Sequence, residues 1–257
     1  MIRKLISFAF AFLLQVMVYA QTDQVMQIST IDALLSGVYD SDFQIGKLKQ
    51  YGDFGLGTFN ALDGEMVVLN GNIYQVPQNG KTIQPPLETC TPFAVVTFFK
   101  TDKTLLLNQA LDFKQLEQFI DKMLPTTNIF YAIKIKGKFK QMKTRSVAKQ
   151  EKPYRLLKDI VNQQAIFDFE NSEGTIVGFR FPSYFKGINV TGYHLHYLTT
   201  NEQAGGHILD FVIDNAQLEI DEISNFSMIV PNNEHFYHVD LSEDKQADLE
   251  KVEKLQK

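Results

Sequence analysis

Asn70-Gly71 lies between two short runs, 65–69 and 72–76, that read as strands. Both positions accept positive φ, as a type I′ turn demands, and that turn carries the twist of the strands it joins, so the dipeptide commits this segment to a tight antiparallel hairpin. Further runs at 55–59, 93–99, 129–135 and 139–142 are short, apolar or alternating, and bounded by turn-forming residues. Two more hairpins are expected: 165–170 with 175–180 around the polar cluster 171–174, and 192–198 with 206–213 across the loop 199–205. Helical spacing is confined to a few places. Phe113, Leu116, Phe119, Ile120 and Met123 mark a helix over 112–124 that Pro125 ends. Thr30 reads as an N-cap for a turn over 30–35, with short helices expected at 42–49 and 154–163. The charged tail 241–257, with Leu249, Val252 and Leu255, suggests a last one. Strands outnumbering helices without βαβ alternation predict an α+β fold: two β-sheet-based subdomains, with mixed and antiparallel sheets and a few short helices. The polar stretch 149–153 is the expected boundary, between an N-terminal β-rich subdomain (21–150) and a C-terminal β-rich subdomain (151–257). Residues 21–29 are polar enough to suggest a mobile leader.

The first twenty residues differ from the rest. Arg3 and Lys4 precede an apolar run over 5–18 that closes on Val18-Tyr19-Ala20, the pattern of a signal peptide over 1–20. A membrane span needs roughly 20 apolar residues, and this run is shorter and interrupted by Gln15. The mature protein is therefore expected to be soluble and exported, periplasmic or secreted, with no membrane association after cleavage. Cys90 is the single cysteine, excludes an internal disulfide, and reads as a small core residue. A formal net charge of −5 with scattered lysines offers no basic field for nucleic acid. The glycines in 52–57 lack the spacing of a phosphate cradle.

Five histidines occur in the chain, and three of them, His194, His196 and His207, crowd into the strand pair at 192–213. Residues two apart on a strand share a face, so His194 and His196 present adjacent imidazoles. Ala204-Gly205-Gly206 returns the chain and sets His207 at the start of the neighbouring strand. Three imidazoles then converge with a coordination position left open. Such ligands suit zinc, although iron, nickel, cobalt or copper accept the same set; zinc is favoured in an exported protein without redox partners. His235 and His238 lack this geometry.

The segments Gly52-Asp53-Phe54-Gly55-Leu56-Gly57-Thr58-Phe59-Asn60 and Leu62-Asp63-Gly64-Glu65-Met66-Val67-Val68-Leu69 resemble the acetolactate decarboxylase family. So do Thr91-Pro92-Phe93-Ala94, Arg145-Ser146-Val147 and the H-x-H pair followed by Gly205-Gly206-His207. The resemblance implies a lyase converting (S)-2-acetolactate to (R)-acetoin and carbon dioxide, working as a homodimer on a small-molecule substrate. It also implies Zn2+ held by His194, His196 and His207, with Glu65, Arg145 and Glu253 as catalytic residues; Glu250, one turn from Glu253, leaves open which glutamate enters the site. The chemistry asks for such groups: a metal acts as electron sink for the enediolate left by decarboxylation, and an arginine orients the carboxylate or stabilises the enediolate oxygen. Glu65 or Glu253 gives the proton or binds the metal. Two other classes fit the histidines, a non-catalytic exported protein binding metal or a keto acid, and a zinc hydrolase.

Overall fold

The computed structural model describes residues 23–253, and the expected signal peptide lies outside the described residues. In chain order the first part contains β1 (Gln24–Ile28), α1 (Ile31–Leu35), β2 (Phe54–Thr58), β3 (Glu65–Leu69), β4 (Asn72–Val76), β5 (Ala94–Thr97) and β6 (Lys103–Leu107). There follow α2 (Phe113–Met123), β7 (Phe130–Ser146), α3 (Leu157–Ile160), β8 (Ala165–Phe181), β9 (Gly192–Thr199), β10 (Gly205–Ile223), β11 (Asn225–Ile229), α4 (Glu234–His238) and α5 (Gln246–Glu253). The expected turn joins β3 and β4, with φ of 52° at Asn70 and 75° at Gly71. Local chemistry likewise sets α1, capped by Thr30 Oγ1, and α2, where Asp112 and Gln115 form a reciprocal capping box.

The strands form two sheets, as expected. A mixed six-stranded sheet runs β11-β1-β5-β2-β3-β4, with β1 and β11 parallel and the other pairs antiparallel. An antiparallel five-stranded sheet runs β6-β10-β7-β8-β9, and β9 pairs again with the start of β10. Four of its strands thus close on themselves. The closure brings His207 opposite both His196 and Arg145. One core fills the interior of this sheet beneath α2, with Ile133, Phe139, Tyr197 and Phe211. A second joins the two sheets through Leu56, Val67, Val95, Val177 and Phe179, and a third covers the far face of the six-stranded sheet with Met66, Val68 and Val96. Alternation along β3 follows from this: Met66 and Val68 face outward, whereas Val67 and Glu65 face the second sheet.

Several expectations are corrected. Residues 24–28 are no leader but the nearly buried strand β1, because Gln27 meets all its hydrogen-bonding needs inside: its Nε2 donates to Ser29 and Ile188 carbonyls at 2.7 Å, and its Oε1 accepts from Asn189 Nδ2 at 2.6 Å. The hairpin expected around 171–174 is absent, and β8 stays paired with β7 through Gly174. That glycine serves close packing, since a Cβ there would overlap the Tyr197 ring. The runs at 129–135 and 139–142 belong to one strand, β7, while β6, β11 and α4 were not foreseen. The helices expected at 42–49 and 154–163 are a 3-10 turn, Ile45–Gln50, and the four-residue α3 followed by a 3-10 turn, Val161–Gln163. The expected division near residue 150 does not separate the sheets, since the second takes strands from both sides of it and β11 returns to the first. Cys90 is half-buried rather than a core residue.

Candidate active site

Period-two alternation on β9 sends Tyr193, Leu195 and Tyr197 into the barrel-like core and turns His194 and His196 toward β3. His207 opens β10 because Gly206 takes φ of 134°, a value that brings its Cα against β7: a Cβ would sit 2.5 Å from the Arg145 carbonyl oxygen. The three imidazoles are 7%, 1% and 2% exposed, and their ring centroids lie 5.1–5.3 Å apart. One nitrogen from each falls within 4.8 Å of the others.

His196 Nδ1 donates to the Met66 carbonyl at 2.8 Å. A carbonyl only accepts, so this bond fixes the tautomer and leaves Nε2 with its lone pair free. That Nε2 is buried without a partner, as is His194 Nδ1. Burial, with neighbouring rings and Arg145 contributing, holds His194 and His207 well below the usual imidazole range, and burial with Arg145 takes His196 down to about 3 against its bond to the Met66 carbonyl. Neutral imidazoles with orphaned buried nitrogens are costly unless something accepts their lone pairs. A divalent cation meets that need at His196 Nε2, and one nitrogen each of His194 and His207 lies close enough to share it, so the residues present fit a metal.

Acidic and basic groups complete the cavity. Glu65 Oε1 accepts from Arg145 Nη1 at 2.7 Å, and its Oε2 lies 3.6 Å from His196 Nε2. Both members of the pair are buried, and Arg145 Nε has no partner. Burial raises the Glu65 carboxyl, with Arg145 working against it. From α5, Glu253 brings Oε2 to 3.5 Å from His207 Nε2 and 4.0 Å from His194 Nε2. Burial pushes its carboxyl up to about 7, Arg145 opposing and Glu65 adding. Glu250 is exposed on an outer groove beside Asp210, so Glu253 is the glutamate that reaches the histidines.

The structure thus gathers Glu65, Arg145, His194, His196, His207 and Glu253 around one cavity. Sequence reasoning missed its walls. Ile31, Leu34, Leu62, Phe93, Val147 and Leu157 close it with apolar surface, and in sequence each is indistinguishable from an ordinary core residue. His235 and His238 lie apart on α4, where His238 Nε2 meets Glu234 at 3.1 Å on the surface.

A family model described as alpha-acetolactate decarboxylase matches residues 25–243. The alpha-acetolactate decarboxylase of Methanosarcina mazei is 49% identical over 233 residues, covering 91% of this chain and 81% of that protein. The Bacillus subtilis enzyme of the same name is 40% identical over 245 residues, 93% of this chain and 96% of that one. A crystal structure of alpha-acetolactate decarboxylase from Bacillus subtilis superposes with a TM-score of 0.89 at 40% identity, covering 90% of this chain and all of the other.

Proposed function

The chain belongs to the alpha-acetolactate decarboxylase family, and from that premise we propose that it is a zinc-dependent carboxy-lyase converting (S)-2-acetolactate to (R)-acetoin and carbon dioxide. The observation that carries the reading is the meeting of three neutral, buried imidazoles, a buried Arg–Glu pair and a second carboxyl in one apolar cavity. His194, His196 and His207 would hold the ion. When bound, zinc supplies a Lewis acid that stabilises the negative charge left on substrate oxygens as carbon dioxide departs.

The chain's own groups account for the rest. Arg145 orients the substrate carboxylate: Glu65 fixes the guanidinium plane through Nη1, and Nε remains available to donate. Because Glu65 already offsets much of the charge, the carboxylate is positioned without being gripped so tightly that its loss is opposed. Glu253 is the better proton donor. It stands beside His207 and His194 without a hydrogen bond to Arg145, whereas Glu65 is tied to that residue. A proton delivered from one side sets the hand of the product, and the apolar walls keep out water that would protonate the other face.

The reading extends to an exported homodimer, supported by the first twenty residues and by the family resemblance; N-terminal sequencing of the mature protein and sedimentation test both points. The decisive experiment incubates zinc-loaded protein with racemic 2-acetolactate and follows acetoin by chiral chromatography. One enantiomer of acetoin, formed well above the spontaneous rate, is expected. Acetoin at the spontaneous rate from fully loaded protein would overturn the reading and favour a binding protein or a hydrolase.

A further inference from the structure

Two successive residues just ahead of Glu65, Ala61 and Leu62, have φ of 58° and 55°. This left-handed region is costly for an L side chain, and such strain persists only where the surroundings over-determine it. Here they do. The Ala61 N–H donates to the Tyr39 carbonyl at 2.8 Å, and the Ala61 carbonyl accepts from the Gln150 N–H at 2.7 Å. Asn60 clasps Ser41 with both ends of its amide, accepting from the backbone N–H at 3.2 Å and donating to the carbonyl at 2.7 Å. On the far side, Gln75 Nε2 donates to the Asp63 carbonyl at 2.6 Å and Thr58 Oγ1 to the Gly64 carbonyl at 2.7 Å.

The strained backbone carries Leu62, 2% exposed, into the wall of the cavity that holds Glu65, Arg145 and the histidines. Ordinary backbone would aim this side chain elsewhere, and the surrounding bonds prevent the loop from swinging it aside. The cavity leaves only about 30 Å³ to the centres of water molecules, so it is narrow, and an alkyl group bound against Leu62 meets its wall. Leu34 and Leu157 line the same cavity from α1 and α3, but neither has a left-handed backbone.

We propose that Leu62 is a specificity-determining residue, setting the length of the alkyl group that the site accepts at C2 of a 2-hydroxy-3-keto acid. The inference rests on the decarboxylase reading above. It explains why a costly conformation is held by five surrounding residues: a soft wall discriminates poorly, because a methylene in an apolar pocket alters selectivity only when the pocket cannot yield.

The test measures kcat/KM of zinc-loaded protein for 2-acetolactate and for its homologue carrying ethyl in place of the C2 methyl. Leu62→Ala should raise the ethyl-to-methyl ratio about 10-fold or more. Leu62→Gly, which suits the left-handed backbone, should do the same and serves if the alanine variant fails to fold, as judged by thermal unfolding and zinc content. Leu157→Ala removes the same atoms from another wall and should move the ratio less than about 3-fold, well short of one methylene's worth. An unchanged ratio in a folded, zinc-loaded Leu62 variant, or an equal rise in Leu157→Ala, overturns the assignment. Parent protein inactive on both acids overturns the decarboxylase reading instead, and the role of Leu62 with it.

Discussion

Replacing Glu65 by glutamine takes one charge from a pair whose members are 6% and 4% exposed and 2.7 Å apart. Exposed ion pairs lose little when broken, but a buried charge left alone costs about 3–5 kcal/mol. Two features moderate the loss here. Glutamine keeps an acceptor for Arg145 Nη1, and Glu253 also feels the guanidinium, which works to lower its carboxyl. The expected destabilisation is about 2–3 kcal/mol, or about 4–12 °C in thermal midpoint for a chain of this size. Arg145→Met should cost a similar amount by stranding Glu65. The double variant should lose less than the sum, with a coupling of at least about 2 kcal/mol from the four-way cycle. Urea and thermal unfolding after chelation provide the assay, so that no bound ion contributes charge. Additive losses, with coupling under about 0.5 kcal/mol, would show the two side chains to be energetically independent and remove the reason for assigning Glu65 to hold Arg145.

Other expectations are as direct. His194→Ala and His207→Ala should each lose most bound zinc together with activity; elemental analysis giving full occupancy in both would refute the metal centre. Glu253→Gln should slow acetoin formation by about 10²- to 10⁴-fold and lower its chiral purity, while the exposed Glu250 tolerates the same change within about 2-fold; equal effects would reverse the choice of glutamate. Asp221 is wholly buried, and burial, with Asp23 and Asp102 adding against Lys100, pushes its carboxyl up to about 7. The folded chain therefore keeps this proton where the unfolded chain has released it, and stability falls as pH rises from about 4 to about 7. Asp221→Asn should be more stable than the parent above pH 7, by about 2–4 kcal/mol at most, with the gap closing near pH 4; parallel midpoint curves across that range would refute the shift.

What the sequence made legible was whatever local chemistry decides. A type I′ turn needs only Asn70 and Gly71, α2 follows from the spacing of Phe113, Leu116, Ile120 and Met123 ahead of Pro125, and the shared face of His194 and His196 follows from strand parity. What stayed hidden depends on distant partners. Gln27 looks like a solvent-facing residue until Ile188 and Asn189 supply its hydrogen bonds. Asn171 and Gly174 look like a turn until Tyr197 packs against the glycine. Nothing local pairs Glu65 with Arg145, and only the family resemblance singled them out before the sheets brought them together. No residue type announces the positive φ of Leu62, since loops that force it act through Ser41, Gln75 and Gln150.

The parallel pairing of β1 with β11 sets an order of events during synthesis. Gln24 lies opposite Asn225 and Ile28 opposite Ile229, so β1 waits for a partner made about 200 residues later. Until residue 229 emerges, β1 has a partner on one side only, and its apolar, unpaired edge is available to other chains. A chain that lacks β11 should therefore be most prone to aggregation through its six-stranded sheet, although the other five strands of that sheet are present.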